Sequence, residues 1–452
     1  MQKRNYGLFT AIAMIVGIVI GSGIFFKADE VLTFSSGNVF LGVLIFVIAA
    51  VAIIFGSLAI SQLATRTDKP GGLITYAEDF VGMGTATVFG WFQTFLYLPT
   101  LGAVVAWVSG IYIANLFGIE EPTVGTWTLI GFIALTVLYF FNILSAKLGG
   151  LFQNASMIIK LIPLVLFAVL GLAFGDPATT LSESAGTFAK TAGALTWVGA
   201  FGPVAFSFDG WIVSTSICHE IKNSKKNLPI ALSVAPIVIL LIYVAYFVGI
   251  SSYLGTDAVL QHGDNAVYVA AENIFKSAIA AKVVLVAVII SVLGTVNGLV
   301  LGLIRMPYAM SLRKMMPASD KFSKETEKLG GMPVNSALLA YGLSVFYLLV
   351  HHFTQVYVFG PRNISADISE ISISMLYILY IILYVAVIKL YKKGEIKNPI
   401  TGIVIPILAT VGSLIIFSGA VTSPVFIVYM AICAVFIGFS YLYYRKNKDI
   451  IK

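Results

Sequence analysis

Two short stretches of this sequence could present the polypeptide backbone itself to a ligand. The first is "IVGIVIGSGIFF", residues 15–26, in which three glycines interrupt an apolar run. If the helix unwinds there, the amides of Ser22, Gly23 and Ile24 lie at the positive end of the half-helix that follows. Such an end binds carboxylate or phosphate. The alternative is that the glycines only allow close helix packing, for which a small-xxx-small spacing is typical.

The second stretch is "GAFGPVAFSFDGW", residues 199–211. Glycine and proline weaken a helix, and an unwound turn here leaves carbonyl groups at Phe206 and its neighbours that attract a cationic ammonium group. An anion site facing a cation site suits a zwitterion. The alternative is a proline kink held by Ser207 or by water. Asp209 could bind a cation or cap the half-helix after it; we favour capping, which leaves the backbone as the ammonium partner.

Lys160 is a charged residue in the middle of an apolar segment. It stands about 13 residues beyond Lys147, roughly 20 Å along a helix, which is too far for its side chain to reach the membrane surface. A lysine at this depth costs about 2.5–3.5 kcal/mol and normally has a polar partner. We interpret it as a built-in cation between the first helix and the eighth, which offers Ser291, Thr295 and Asn297. The alternative is a structural lysine with no part in function.

The composition indicates which elements position these residues. Of 452 residues, 59% are hydrophobic and 11% are charged, with a mean hydropathy of +0.95. A soluble domain has about 25% charged residues, so a soluble enzyme is excluded and a polytopic protein of the lipid bilayer is predicted. About twelve apolar stretches can span a membrane: 7–34, 39–64, 80–117, 125–144, 148–175, 192–218, 229–254, 281–304, 333–353, 370–388, 399–418 and 424–444.

Basic residues predict the orientation. With twelve spans and a cytoplasmic N-terminus, both termini are cytoplasmic, and all but six of the 28 Lys and Arg residues lie on the cytoplasmic side. The exceptions are Lys27, Lys160, Lys190, Lys276, Lys282 and Arg362. The net charge of +7 is therefore a topology signal and does not indicate nucleic acid as a partner.

The predicted breaks fall in spans one and six, five spans apart. Broken helices at matching places in two halves are typical of transporters with inverted repeats. We predict one all-α transmembrane transporter domain over 1–452, with repeat one at about 7–176, repeat two at about 192–390, and two additional helices at about 399–445. The two halves share no residue-level identity, so the repeat rests on spacing and breaks alone.

The sequence carries no pattern for catalysis or for a cofactor. Cys218 and Cys433 are the only cysteines, the histidines have no spaced carboxylate or cysteine, and no zinc-protease, phosphate-loop or nucleophile-elbow motif occurs. We expect no catalytic residues, no metal and no cofactor. An intramembrane enzyme or a channel is a remote alternative.

Several motifs together resemble one family. The motifs are "IGSGIFF" at 20–26, "PGGLITYAED" at 70–79, "KLIP" at 160–163, "FSFDGW" at 206–211, "EIKNSKKNLP" at 220–229 and "SEISISMLYI" at 369–378. In order and spacing they are similar to the L-amino acid transporter family of the amino acid-polyamine-organocation superfamily, especially its single-chain bacterial exchangers. The resemblance implies twelve helices in a five-plus-five inverted repeat, a bacterial cell membrane, and sodium-independent one-for-one exchange.

The resemblance also implies roles for particular residues. The substrate carboxylate would meet the amides of Ser22, Gly23 and Ile24, and its ammonium would meet the carbonyls of Val19, Phe206 and Asp209, with Ser207 alongside. Lys160 falls where sodium-coupled relatives hold a sodium ion. Tyr243, with Tyr246 close by, falls on a tyrosine of helix seven that belongs to a gate.

The chain departs from the family pattern at a few places. Phe208 stands where relatives often have tyrosine, Lys27 is followed by Ala28-Asp29-Glu30 where relatives often have a proline, and Ser224 stands where proline is common. The loop 116–126 lacks the cysteine through which animal members attach a heavy chain, so no disulfide-linked partner is expected.

The resulting prediction is an exchanger of small neutral L-amino acids that works by alternating access. A cationic substrate would require an acidic pocket, and only Asp209 lies deep in the relevant spans. A proton-coupled symporter, with Lys160 as the titrating group, is the alternative. The sequence does not rank alanine, serine, threonine, cysteine and glycine as substrates.

Overall fold

The computed structural model describes residues 7–67, 69, 72–212, 221–358 and 367–451. In this part of the chain the regular elements are helices, apart from isolated bridge residues such as the pair Thr326 and Met332. The α-helices, in chain order, are α1 Leu8–Val19, α2 Gly23–Phe34, α3 Val39–Ala64, α4 Leu73–Phe80, α5 Met83–Phe92, α6 Leu98–Leu116, α7 Val124–Leu144, α8 Ala146–Ile159, α9 Leu161–Phe174, α10 Pro177–Gly193, α11 Phe201–Ser207, α12 Ser224–Leu254, α13 Thr256–His262, α14 Ala266–Phe275, α15 Ala278–Leu312, α16 Ser319–Phe322, α17 Val334–Phe353, α18 Ile368–Lys392, α19 Ile405–Val421 and α20 Phe426–Lys446.

Several helices begin at a polar side chain that accepts a hydrogen bond from the amide three residues further on. Asn38 does this for α3, Thr123 for α7, Asp176 for α10 and Ser277 for α15. Each cap satisfies one of the N–H groups that the first turn of a helix leaves without an acceptor. These helix starts therefore follow from local sequence.

The predicted membrane-spanning helices are present. Within the described residues, ten helical runs are long and apolar enough to cross a bilayer, and α1 with α2 forms one further bent span. The ends of the runs agree with the predicted segments to within about five residues, except that the eighth run, predicted as 281–304, extends to Leu312. The all-α multi-span fold is confirmed. Residues 213–218 of the sixth predicted segment lie outside the described residues, so the count of twelve stays a prediction.

The chain divides into two compact units. Unit 1 comprises Met1–Ala86, Leu164–Ala266 and Ile373–Ser423, and unit 2 comprises Thr87–Pro163, Val267–Ser372 and Pro424–Lys452. Unit 1 contains the first, second, sixth and seventh predicted segments, and unit 2 contains the third, fourth, eighth and ninth. Both predicted breaks therefore belong to unit 1, whereas Lys160 belongs to unit 2.

The breaks in the first and sixth segments are present. The helix axes of α1 and α2 differ by 61° across the break at residues 20–22. In the sixth segment, α11 ends at Ser207 and a turn follows. A local irregularity, which we did not predict, separates α8 from α9 at Lys160, although Lys147–Phe174 runs as one span. Pro163 explains it, because it has no N–H to donate to the carbonyl of Ile159.

Small residues bring helices of unit 1 into backbone contact. A Cβ atom on Gly171 of α9 would lie 2.5 Å from the carbonyl carbon of Gly249 in α12. A Cβ atom on Gly412 of α19 would lie 2.6 Å from Cβ of Ala52 in α3. Helices that approach this closely make van der Waals contacts with each other instead of with lipid, and these contacts stabilise helix association in a membrane.

We expect Gly171→Ala to destabilise the protein, because the added methyl group meets the rigid backbone of Gly249. The cost of overpacking is about 1–3 kcal/mol, which exceeds the gain of up to about 1 kcal/mol from better helix propensity. Thermal unfolding of the detergent-solubilised protein measures the change. The matched control is Gly102→Ala, at a buried helical glycine with no atom within 4 Å of the added Cβ; equal melting temperatures for the two variants would contradict this account of the packing.

Candidate functional site

The first break exposes the end of one helix and the start of another. α1 ends at Val19, and Ile20 has the extended conformation φ −64°, ψ 107°. The N–H of Phe25 donates to the carbonyl of Ser22 at 2.9 Å, so α2 begins directly after the break. The amides of Gly23 and Ile24 belong to the first turn of α2, where N–H groups have no acceptor within the helix. Unwinding therefore creates a positive helix end beside the carbonyl of Val19.

The second break is a tight turn after α11. The N–H of Asp209 donates to the carbonyl of Phe206 at 3.0 Å, and Gly210 has φ +96°, which glycine adopts readily. The Ser207 hydroxyl donates to the carbonyl of Pro203 at 3.0 Å. The Phe206 carbonyl thus has a turn partner that the sequence did not predict, and one of its two lone pairs remains for a further donor.

The two breaks lie against each other. A Cβ atom on Gly23 would lie 2.9 Å from Cα of Ser207 and 3.1 Å from Cδ1 of Phe206. On the other side, a Cβ atom on Gly210 would lie 3.2 Å from the Ile18 side chain. Only glycine at position 23 allows so close an approach, and it places the amides of the first break next to the turn of the second.

Tyr243 of α12 joins the two breaks. Its buried hydroxyl lies 2.8 Å from the carbonyl oxygen of Ser207 and 3.3 Å from that of Val19. The Tyr243 hydroxyl therefore donates a hydrogen bond at a place where two carbonyl groups have lost the N–H donors that a continuous helix would supply. The sequence resemblance placed Tyr243, rather than Tyr246, at a gate, and the structure places its hydroxyl at the breaks themselves.

Aromatic rings surround this junction. Phe206 meets Phe26 edge to face with ring centroids 5.2 Å apart, and Phe208 meets Tyr243 at 5.2 Å. Phe46 of α3 packs against the rings of Phe208 and Tyr243. The polar backbone of the breaks is thus enclosed by apolar surface, which strengthens electrostatic interactions with any charged ligand.

Asp209 is surrounded by groups from α18. Its negative charge acts on the buried hydroxyls of Tyr377 and Tyr380. Trp211 donates its indole N–H to the Tyr377 oxygen at 3.2 Å and packs against the Tyr380 ring. Sequence reasoning missed these tyrosines, although their i, i+3 spacing in an apolar span was a signal for a polar stripe. The half-helix that Asp209 was predicted to cap lies largely outside the described residues.

Lys160 is buried in unit 2, with 5% of its side chain exposed. It follows α8, and its N–H donates to the carbonyl of Ser156. Ser156 packs directly against Gly294 of α15, so Lys160 lies one turn from a close helix contact. Its predicted bridge to the first span would join the two units, and that bridge stays a prediction.

One of the three partners predicted for Lys160, Asn297, makes several other hydrogen bonds. The Asn297 side-chain amide donates to the Gly149 carbonyl and to the Gln153 side chain, both at 3.0 Å, and its oxygen accepts from Asn142 at 2.8 Å. Asn297 therefore holds α15 to α7 and α8, and one lone pair of its side-chain oxygen remains for a further donor. Ser291 and Thr295 stay candidates.

A model of the amino acid permease family matches residues 6–442. The chain belongs to the amino acid permease family. The serine/threonine exchanger SteT of Bacillus subtilis is 30% identical, with 92% of this chain and 90% of the relative covered. The human b(0,+)-type amino acid transporter 1 is 25% identical, with 98% of this chain and 87% of the relative covered. A crystal structure of MhsT in complex with L-phenylalanine has the same fold, with a TM-score of 0.55 at 15% identity over 90% of this chain and 97% of that one.

These findings confirm the resemblance and the predicted class. The permease is a multi-pass membrane protein of amino acid transport, and its relatives are transporters rather than enzymes. The matched region contains both breaks and Lys160. The comparisons do not extend to the atoms that contact a substrate, so the roles of individual residues are proposals.

We expect Tyr243→Phe to reduce amino acid uptake by the permease roughly tenfold, because it removes the one hydroxyl hydrogen that the buried carbonyl groups of Ser207 and Val19 share. Uptake of labelled amino acid into proteoliposomes measures this effect. The control is Tyr253→Phe, which removes the hydroxyl of a half-buried tyrosine near the end of the same helix. Uptake that is equal in the two variants would show that the Tyr243 hydroxyl has no part in the site.

Proposed function

We propose that this permease exchanges small neutral L-amino acids one for one, without sodium, by alternating access. The substrate carboxylate binds the amides of Ser22, Gly23 and Ile24. Its ammonium binds the carbonyl oxygens of Val19, Phe206 and Asp209, beside Ser207. The observation that carries this proposal is the contact between the two breaks at Gly23 and Ser207, which brings a positive helix end and several carbonyl groups to one place.

The polarity of the two breaks supports a zwitterionic ligand. The start of α2 attracts an anion, and the end of α1 with the turn after α11 offers carbonyl oxygens to a cation. Tyr243 lies 3.3 Å from the Val19 oxygen and 2.8 Å from the Ser207 oxygen, so its hydroxyl marks the position where a hydrogen-bond donor fits. A substrate ammonium can bind beside it or replace its contact with Val19.

Size and charge favour a small neutral substrate. The rings of Phe26, Phe206 and Phe208 lie at the junction, and we expect them to disfavour a bulky side chain. The one carboxylate predicted to lie near the pocket, Asp209, interacts with Tyr377 and Tyr380. A cationic substrate would have to compete with these buried hydroxyls for Asp209.

The composition of the units supports the two-repeat organisation. Each unit takes matching members of the proposed repeats at about 7–176 and 192–390: spans one and two accompany six and seven, and spans three and four accompany eight and nine. A chain built from two copies of one five-helix motif distributes its spans in this way. Alternating access in such folds uses groups of spans that move as bodies.

Exchange is favoured over proton symport by the similarity to a serine/threonine exchanger. The bias of basic residues supports cytoplasmic termini, and the Bacillus subtilis relative supports a bacterial cell membrane as the location. The loop 116–126 contains no cysteine, and we propose that the protein works without a disulfide-linked heavy chain.

The experiment is trans-stimulated uptake into proteoliposomes in sodium-free buffer. We expect labelled serine or alanine to enter only vesicles loaded with amino acid, and unlabelled small neutral amino acids to compete best among the twenty. Uptake into empty vesicles driven by a pH gradient would replace exchange by proton symport. Competition led by arginine or lysine would contradict the neutral specificity.

We expect Lys160→Ala to reduce exchange at least tenfold, because the variant loses a buried cation on which the polar interior depends. The control is Lys190→Ala, which removes an exposed lysine from α10. Size-exclusion profiles identify any variant that fails to fold. Normal exchange by a folded Lys160→Ala protein would make Lys160 a structural residue only.

A further inference from the structure

A group of charged residues lies on α2, one turn beyond the first break. Lys27 has 1% of its side chain exposed, and its Nζ atom lies 2.8 Å from Oε1 of Glu30. The same atom lies 5.4 Å from the ring centroid of Phe26 and 5.6 Å from that of Phe206. Both distances are favourable for a cation over an aromatic ring. The ammonium group thus contacts the aromatic wall of the proposed substrate site.

Two further carboxylates lie beside this pair and interact electrostatically with each other. Asp29 lies on α2, and Asp264 lies in the 3-10 turn Gly263–Asn265 that follows α13. Atom Oδ1 of each is buried and has no hydrogen-bond partner. A Cβ atom on Gly263 would lie 3.4 Å from Oδ2 of Asp29, so this carboxylate lies against the turn. The charges of Asp29 and Asp264 act on each other and on the buried Tyr246 of α12.

The charges of this group do not balance when all of them are ionised. Three carboxylates, those of Asp29, Glu30 and Asp264, accompany one ammonium, that of Lys27. Glu30 accepts a hydrogen bond from the Lys27 ammonium, whose charge also acts on Asp29 and Asp264. One ammonium cannot compensate three carboxylates, and Oδ1 of both Asp29 and Asp264 is buried without a donor. Like charges in a buried position do not both ionise, and one of the two carboxyls takes up a proton instead.

We propose that Asp29 and Asp264 share one proton and thereby form a pH-sensitive latch between α2 and the 256–265 segment, which comprises α13 and the turn Gly263–Asn265. With the proton present, one carboxyl donates a hydrogen bond to the other and the segment stays on α2. Without it, two negative charges repel each other and the contact loosens. The latch holds the same half-helix whose first turn, at Gly23 and Ile24, forms the proposed anion site.

The direction of the pH effect follows from burial. Burial raises the pKa of Asp264 from 3.8 to about 7, whereas a carboxyl of the open, hydrated segment titrates at its ordinary value. The latched state therefore binds more protons than the open state between these two values. Its stability is fully present below the ordinary aspartate pKa and is lost as the pH rises through about 7.

Other titratable groups near the latch are few. α13 contributes Asp257 and His262, both exposed, and α12 contributes Tyr246. α11, the turn Thr196–Ala200 and α3, which also pack on α2, contain no titratable side chain. The pH response of this contact therefore depends on Asp29 and Asp264, with Lys27 and Glu30 as their charged neighbours.

The effect on transport rests on the proposed function, because α2 must move during alternating access for the latch to matter. We expect exchange in proteoliposomes at equal internal and external pH to be about three- to tenfold slower at pH about 5.5 than at pH about 8. Equal pH on both sides removes any proton gradient, so this response differs from that of a proton symporter. Asp264→Asn and Asp29→Asn should give flat profiles.

The matched control is Asp257→Asn, which makes the same change at an exposed position of the same segment and should keep the wild-type profile. A wild-type profile in the Asp264→Asn and Asp29→Asn variants would overturn the latch. Replacement of the buffer cation, sodium by potassium or by N-methylglucamine, should leave the profile unchanged. A profile that follows the cation would also overturn the proposal, because the carboxylates would then hold a metal ion rather than a proton.

A second measurement does not depend on transport. Leu260→Cys on α13, in a Cys218→Ser, Cys433→Ala background, is labelled with a maleimide at several pH values, with and without Asp264→Asn. The ratio of the two labelling rates cancels the intrinsic titration of the thiol. We expect the cysteine of the intact latch to be protected at low pH relative to the Asp264→Asn background. If neither the wild-type protein nor its variants exchange amino acids, the proposed function fails, and the labelling ratio then tests the latch by itself. A labelling ratio that does not change with pH would overturn the latch.

Discussion

A peptide group in a bilayer has no water to bond, so each break in a spanning helix leaves donors and acceptors that the protein or its ligand must satisfy. In this permease the two principal breaks satisfy that constraint together. Gly23 brings the start of α2 within van der Waals contact of Ser207. The Tyr243 hydroxyl lies within hydrogen-bond distance of one carbonyl group from each break, those of Val19 and Ser207. The remaining polarity, amides on one side and carbonyls on the other, has the charge pattern of an amino acid backbone.

The same constraint governs the buried charges. Lys27 is held by Glu30 and by two aromatic rings, and Asp209 interacts with tyrosines of α18. A buried charge is tolerated only with such partners, because its desolvation otherwise costs several kcal/mol. Asp29 and Asp264 differ, since each retains a buried oxygen without a donor. A shared proton supplies the missing hydrogen bond of that pair. Unlike the fixed partners of Lys27 and Asp209, this proton is gained or lost with the pH.

Local sequence predicted most of the architecture. Apolar runs of about 20 residues gave the spans, and the glycines of 15–26 and the Gly-Pro and Asp-Gly steps of 199–211 predicted where two of them break, because these residues weaken the helical ladder whatever surrounds them. The local irregularity between α8 and α9 at Lys160 was missed, although Pro163 is a local signal for it. The prediction of Lys160 as a buried residue held, because a mid-span lysine cannot reach the surface.

The chemistry of the breaks was decided by tertiary structure. Residue types alone indicated that Phe206 would offer its carbonyl and that Asn297 could receive Lys160; the fold gave the first a turn partner and committed the second to α7 and α8. Tyr377, Tyr380 and Asp264 reach their partners from segments distant in the chain, where no spacing rule applies. Sequence by itself determined where helices form and fail, because that depends on neighbouring residues. Which of the exposed groups then contact one another depends on the packing of helices that lie far apart in the chain.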